Sequence, residues 1–358
     1  MKTLRCLTFV ATVISAWSFA AADNPPAAPP LKELPAAHLT ALKELEAARE
    51  RLSKLSSVSA NLVETISMYP KSIRATGRYL QGGLTTKGSG WHLRSELKIK
   101  FGGTEGNQLE VCDGDILWVR TEIRHRPAIN GNRSTDGKST GKDGKASAKS
   151  EGTSDSKLEA KNEPQVMLTR RNVTQILDAA GKRTDVPRDM VVKELGLGGM
   201  PALLASIQSA MIFDKVTVET HQERPVVVLE GSWNEAQLMR WNNNQPVDMS
   251  KIAFPAFIPE RVQLVLDKES GFPHRIVYFK KLPDRKVSAP LLTVEYTDIK
   301  INQPIDKSEF VFVPPDQLQA MDMTNMYLER LSPNPAGAPG AGGVPGADPL
   351  RPAGVEPK

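Results

Sequence analysis

From Trp91 to Phe101 the chain alternates. Trp91, Leu93, Leu97, Ile99 and Phe101 are apolar, and His92, Arg94, Glu96, Lys98 and Lys100 fall between them. A period of two with one apolar and one charged face predicts a strand buried on one side only, the pattern of an antiparallel sheet. Val58, Ala60, Leu62, Ile66 and Met68 repeat it, and Ile73, Ala75, Gly77 and Tyr79 follow beyond Pro70, which predicts a hairpin. Asp113-Gly114 separates Leu109–Val111 from Ile116–Ile123 and is a second hairpin signal. Further strands are expected near 216–220, 225–232, 261–267, 274–281, 291–301 and 310–313. About eleven strands with few helices between them predict an α+β fold: a curved antiparallel sheet forming an open half-barrel.

Helical spacing is confined to particular joints. Leu39, Leu42, Leu45, Leu52 and Leu55 precede the first strand, and Val173, Ile176, Leu177 and Ala180 form a second amphipathic run. Residues 195–213 carry no charge, but Gly196, Gly198, Gly199, Pro201, Ser206, Gln208 and Ser209 make them too polar and interrupted for a membrane span. They are read as a loop and a helix whose Leu203, Leu204 and Ile207 lie on the sheet, so that helices cover its concave face. Met321, Met323, Met326 and Tyr327 predict a last docking helix.

Four segments fall outside this plan. Lys2 and Arg5, an uncharged run from Cys6 and the Ala20-Ala21-Ala22 end predict a signal peptide over 1–22 and a periplasmic location. Residues 23–37 read as a Pro/Ala-rich linker. A basic Gly/Ser/Thr/Lys insertion at 127–163 and a tail at 332–358 with seven Pro and six Gly have little to bury. The folded domain is therefore expected over 38–331. Gly131 to Ser139 imitates a phosphate-binding loop, yet five residues rather than four separate its glycines, and neither a strand nor a helix flanks it.

Charge and composition then remove whole classes of function. The net charge of +5 arises from the first residues and the insertion, where nine Lys/Arg face six Asp/Glu over 124–163, and no basic, aromatic-interleaved face exists. Nucleic acid is not an expected partner. The five histidines lack metal-ligand spacing, so neither metal nor cofactor is expected. Cleavage near Ala22 removes Cys6 and leaves Cys112 alone between Val111 and Asp113, read as a small buried strand residue. No nucleophile-elbow, zinc-protease or cysteine-protease signature occurs, and no sequence partner singles out His221 or His274 as a base, so an enzyme is not expected.

Several segments, in order, resemble the LolA-like periplasmic lipoprotein carriers. Lys54-Leu55-Ser56-Ser57-Val58-Ser59-Ala60 resembles the family's helix-to-strand junction, and Gly77-Arg78-Tyr79-Leu80 its second strand. Asp113-Gly114-Asp115-Ile116-Leu117-Trp118 is similar to its D-G-x-x-L-W turn, and Phe310-Val311-Phe312-Val313-Pro314-Pro315 to its F-x-F-x-P-P ending. Ile258-Pro259-Glu260-Arg261-Val262 and Asp267-Lys268-Glu269-Ser270-Gly271-Phe272-Pro273 resemble the charged hairpin of planctomycete-type relatives. Where typical carriers have Arg-Pro after the second strand, this chain has Gln81-Gly82-Gly83.

The resemblance implies a monomeric, non-catalytic carrier of acylated lipoprotein or lipid, meeting an inner-membrane release complex and an outer-membrane acceptor. The physical need is plain: an acyl chain of sixteen carbons exposed to water costs roughly 12 kcal/mol, which a concave apolar surface relieves. The cavity wall is then expected from Leu62, Ile66, Trp91, Leu93, Leu97, Trp118, Leu229, Leu264 and Leu266, and the lid from Val173, Ile176, Leu177, Leu203, Leu204 and Ile207, with Met190, Met200 and Met211 as adaptable filling. The alternative is an envelope scaffold or sensor of the same fold that transports no ligand. Arg94, Lys98 and Lys100 are read as solvated surface.

Overall fold

The computed structural model describes residues 34–68, 71–83, 92–125, 164–184, 191–192, 195–241, 245, 254–255, 257–282 and 287–332. The expected signal peptide, the expected insertion at 127–163, most of the expected linker and the tail from 333 on lie outside them, as do Trp91 and Met190.

Two meanders are stitched into one sheet. The first is β1 (Ser57–Met68), β2 (Lys71–Gly82), β3 (His92–Phe101), β4 (Thr104–Asp113), β5 (Ile116–His125) and β6 (Gln165–Asn172). The second is β7 (Met211–His221), β8 (Arg224–Trp233), β9 (Arg261–Asp267), β10 (Pro273–Lys281) and β11 (Ser288–Ile301). A two-residue β12 (Met321–Asp322) completes twelve strands in the order β12-β6-β5-β4-β3-β2-β1-β11-β10-β9-β8-β7. All pairs are antiparallel except β12 with β6, and the sheet stays open, with β7 and β12 at its edges.

This topology explains the helical cover. Because β6 and β7 stand near opposite edges, the chain between them crosses the face, and it does so as α2 (Val173–Gly181) and α3 (Gly199–Ala210). Helix α1 (Ala36–Ser53) precedes β1 and lies against α3 and β7, while α5 (Thr324–Leu331) lies against α2. A short α4 (Glu235–Trp241) follows β8. The buried stripe of α1 is His38, Ala41, Leu45, Ala48 and Leu52, a 3-4 spacing that puts Leu39 outside. His38 Nδ1 accepts a hydrogen bond from the Phe213 N–H at a β7 bulge, so burial holds this imidazole neutral with a lowered pKa. The helix starts at Ala36, inside the expected linker. Among the described residues no helix is long and apolar enough to cross a membrane.

The expected strand at 310–313 is not one. Asn302–Ala320 instead straps the face of the sheet opposite the helices: Phe310 rests beside His92 (ring centroids 5.3 Å) and above Gly82, and Phe312 meets Trp118 at 5.5 Å. Val311 and Val313, between and after these rings, are exposed. Arg94, expected in solvent, is tied to Glu96 and donates through Nη1 to the Glu309 carbonyl at 2.8 Å, whereas Lys98 and Lys100 are exposed as expected.

The β9–β10 hairpin is pinned by Asp267, whose Oδ1 accepts from the N–H groups of Glu269 and Ser270 and from the Ser270 hydroxyl. Its burial alone would raise the pKa, but these bonds and His274 hold the carboxyl well below the usual range. Its contribution is therefore full above the ordinary carboxylate range and is lost as acid protonates it. Asp267→Ala is expected to cost about 2 kcal/mol at neutral pH by urea denaturation. An unchanged midpoint would reduce Asp267 to a bystander of the turn.

Candidate functional site

The strand registers place the concave face row by row. One row runs Val58, Gln81, Leu93, Cys112, Leu117 and Arg171, and the next Ala60, Tyr79, Ser95 and Glu110. Leu62, Gly77, Leu97 and Gln108 follow, then Glu64, Ala75, Ile99 and Gly106. Across β11, Glu64 faces Val294 and Leu62 faces Tyr296, and the face continues through Ile276, Leu264 and Leu229.

Most expected wall and lid residues meet. Leu62, Leu93, Leu97, Leu229, Leu264 and Leu266 join Val173, Ile176, Leu177, Leu204 and Ile207 in one continuous buried cluster, with Ile66 and Leu203 packed on it half-buried. None of the six buried wall residues is more than 5% exposed, so this face is closed by its own helices. Met200 and Met211 are in the cluster, and Tyr327 of α5 reaches it too. Trp118 does not face this cluster. Its neighbour Leu117 does, and strand alternation turns the indole to the strapped face and Phe312. Cys112 is buried, and burial pushes its thiol up to about 12, so no reactive thiolate forms near neutral pH.

The sequence reading passed over Glu64. It stands at core parity between Leu62 and Ile66, and the alternation Val58, Ala60, Leu62, Ile66, Met68 skips it. A glutamate at the one missing inward position was the available signal. In the fold Glu64 is 1% exposed, and neither carboxylate oxygen has a hydrogen-bond partner. Burial, then the like charge of Glu110, raises its pKa to about 7. Glu110 is itself raised by burial, opposed by Arg171 and by a hydrogen bond from Gln108. Tyr278 and Tyr296 are held neutral by burial and by Glu64, and Tyr79 by burial. Tyr79 donates to Gln81 Oε1 at 2.5 Å and accepts from the Met200 N–H, seating the start of α3 on β2. Tyr79, Phe272 and Tyr296 form a ring cluster, with Phe272–Tyr296 edge-on at 5.3 Å.

The face is thus divided. The second meander presents Val216, Leu229, Leu264, Leu266 and Ile276, with Tyr278 and Tyr296 on the β10–β11 side toward β1, while the first interleaves leucines with Glu64, Gln81, Gln108, Glu110 and Arg171.

A histidine–carboxylate pair at the other end also escaped the sequence reading. His274 Nε2 is 3.4 Å from Asp267 Oδ2, and the His221 ring stands 5.4 Å from that of His274. It is not a nucleophile triad, because the Ser270 hydroxyl donates to the carboxylate rather than to the imidazole. No group of His, Cys, Asp and Glu suited to a metal occurs among the described residues. A polar recess of about 210 Å³, lined by Ile116, Arg170, Asn172, Gln175, Asp322 and Thr324, lies at the β6–β12 edge, away from the expected wall.

No family model matches the chain, and no curated protein matches it. Among solved structures it is similar to the Pseudomonas aeruginosa MucA/MucB complex, with 11% identity over 76% of this chain and 61% of that one, at a TM-score of 0.33. It is similar to the Mycobacterium tuberculosis lipoprotein LppX, with 8% identity over 75% and 98% and a TM-score of 0.29. A putative outer membrane lipoprotein-sorting protein domain from Vibrio parahaemolyticus aligns with 10% identity over 75% and 95% and a TM-score of 0.24. Likeness at this level bears on neither cargo nor partner.

Proposed function

We propose that this protein is an exported, periplasmic, non-catalytic carrier that binds the acyl chains of a lipid or an acylated lipoprotein between its concave sheet face and its helices. One observation supports the reading: most of the wall and lid residues belong to a single buried hydrophobic cluster. Moving the helices off the sheet would expose an apolar surface that is broadest on the second meander, and an acyl chain replacing them recovers about 0.8 kcal/mol per methylene buried. Cross-ties between α1 and its surroundings are few and polar, such as Arg49 Nη1 to Gln208 at 3.0 Å, and can be broken singly. Release to an acceptor, and capture from an inner-membrane complex, would use the same displacement in opposite directions.

Native mass spectrometry with lipid extraction, on mature protein purified from the cell envelope without detergent, tests this. Acylated species are expected to co-purify and to fall at least about tenfold in Ile66→Asp and Leu203→Asp, half-buried positions at the edge of the cluster, in variants whose circular dichroism matches the wild type. A clean apo mass that stays clean after acylated peptide is added would leave a ligand-free scaffold as the function of this fold.

A further inference from the structure

Glu64 has no structural task that the fold reveals. Both its oxygens are buried and unpartnered, an arrangement that costs a folded protein and that the described residues do nothing to relieve. The titratable groups coupled to it are Glu110 on β4, Tyr278 on β10 and Tyr296 on the adjacent β11, with Arg171 on β6 acting on Glu110. Tyr278 and Tyr296 sense its charge, and Glu110 repels it. Around it the floor is built of small residues: Ala75 directly opposite, Gly77 diagonal to it, Gly106 in the same row, and Ala60 and Ser95 two rows away. The nearest of these, Ala75 and Gly77, carry no side-chain donor, so the demand of the unpaired acceptor is left for another group to meet. Beyond Tyr296 on β11 and Tyr278 on β10 the face is built of Ile276, Leu264 and Leu229.

We propose that the sheet–helix interior binds an amphiphile whose head donates hydrogen bonds, with Glu64 as the acceptor at its centre and the tail lying along Leu229, Leu264 and Leu266. This rests on the carrier reading and names its ligand class. An ammonium head, with three N–H donors, satisfies both orphan oxygens, and a hydroxyl head satisfies one of them. A fatty carboxylate brings a third negative group to Glu64 and Glu110 and is refused. The polar half of the face thus sets head chemistry while the apolar half accepts chains of varied length, which separates specificity from affinity.

The test compares three chain-matched probes, dodecylamine, dodecanol and dodecanoate, each below its micelle concentration, by calorimetry and native mass spectrometry on the mature protein at about pH 8. Dodecylamine and dodecanol are expected to bind at least about tenfold more tightly than dodecanoate. In Glu64→Leu the amine's advantage over the carboxylate is expected to shrink to about twofold while dodecanol binding survives, since the tail site is intact. Equal binding of all three probes by the wild type, or an unchanged preference in Glu64→Leu, would overturn the assignment of Glu64 and leave the carrier standing. Binding of none of the three would overturn both.

Discussion

Gly77→Ala is expected to destabilise the protein by about 3 kcal/mol or more, a large fraction of the stability of an ordinary domain. The reason is space rather than backbone dihedral. A β-carbon built on Gly77 would overlap the Glu96 carbonyl oxygen and stand 3.1 Å from the Leu97 Cα, and both are backbone atoms of β3 that no rotamer change can clear. Gly77 pairs with Leu62 on one side and Leu97 on the other, so the crowding sits in the middle of the wall. A glycine in a strand interior marks a bend or the close approach of a neighbouring backbone, and here the β3 backbone approaches closely. Gly102→Ala is the control. Gly102 has φ +56° with nothing within 4 Å of the added carbon, so only the left-handed backbone resists, at about 1 kcal/mol. Equal urea midpoints for the two variants would show that the close approach at Gly77 relaxes freely.

The contrast between those glycines illustrates what a sequence discloses. Alternation found β3 because Leu93, Leu97 and Ile99 face the core while Lys98 and Lys100 face water. The Asp113-Gly114 turn was equally legible, since it is built locally: Asp113 Oδ1 accepts from the N–H groups of Asp115 and Ile116, and Gly114 supplies φ +100°. Strand β6 was missed because Met167-Leu168-Thr169-Arg170-Arg171 does not alternate; Arg171 takes an inward position beneath Tyr327, 5.7 Å from its ring. Phe310 and Phe312 alternate as a strand would, yet their rings pack on His92 and Trp118 with no ladder beside them. Period two therefore reports that alternate side chains are buried, not that a neighbouring strand does the burying. Trp118 failed differently. In Leu117-Trp118-Val119 every residue is apolar, so nothing local says which parity faces inward, and the strapped back of the sheet accommodates the larger ring.

Removing the Glu64 carboxyl is expected to stabilise the protein by about 3 kcal/mol at pH values above about 7 and to flatten its pH dependence. With a folded pKa of about 7 against an ordinary 4.5, the folded state holds this proton more tightly than the unfolded chain does. Stability from this group is thus greatest in mild acid, falls as pH rises from about 4.5 to about 7, and is level beyond. Other groups superimpose their own slopes. Glu110, also raised, adds in the same sense, whereas His38 and His221, lowered by burial, make the protein more stable as pH rises toward their ordinary range. Only the difference between wild type and variant isolates Glu64. Urea denaturation of wild type and Glu64→Leu across about pH 5 to about pH 8 is expected to give curves that converge at the acid end and separate by about 3 kcal/mol at the other. Glu64→Gln should also lose the slope but gain less, because a buried amide without partners keeps much of the desolvation cost. Parallel curves would mean that solvent or a neighbour satisfies the carboxylate in solution, and the case for a ligand there would fall with it. A measured separation has the opposite meaning. An interior that can be made more stable by deleting one carboxylate holds an unmet hydrogen-bonding demand, and a ligand that donates to that group recovers as binding free energy what the empty fold loses.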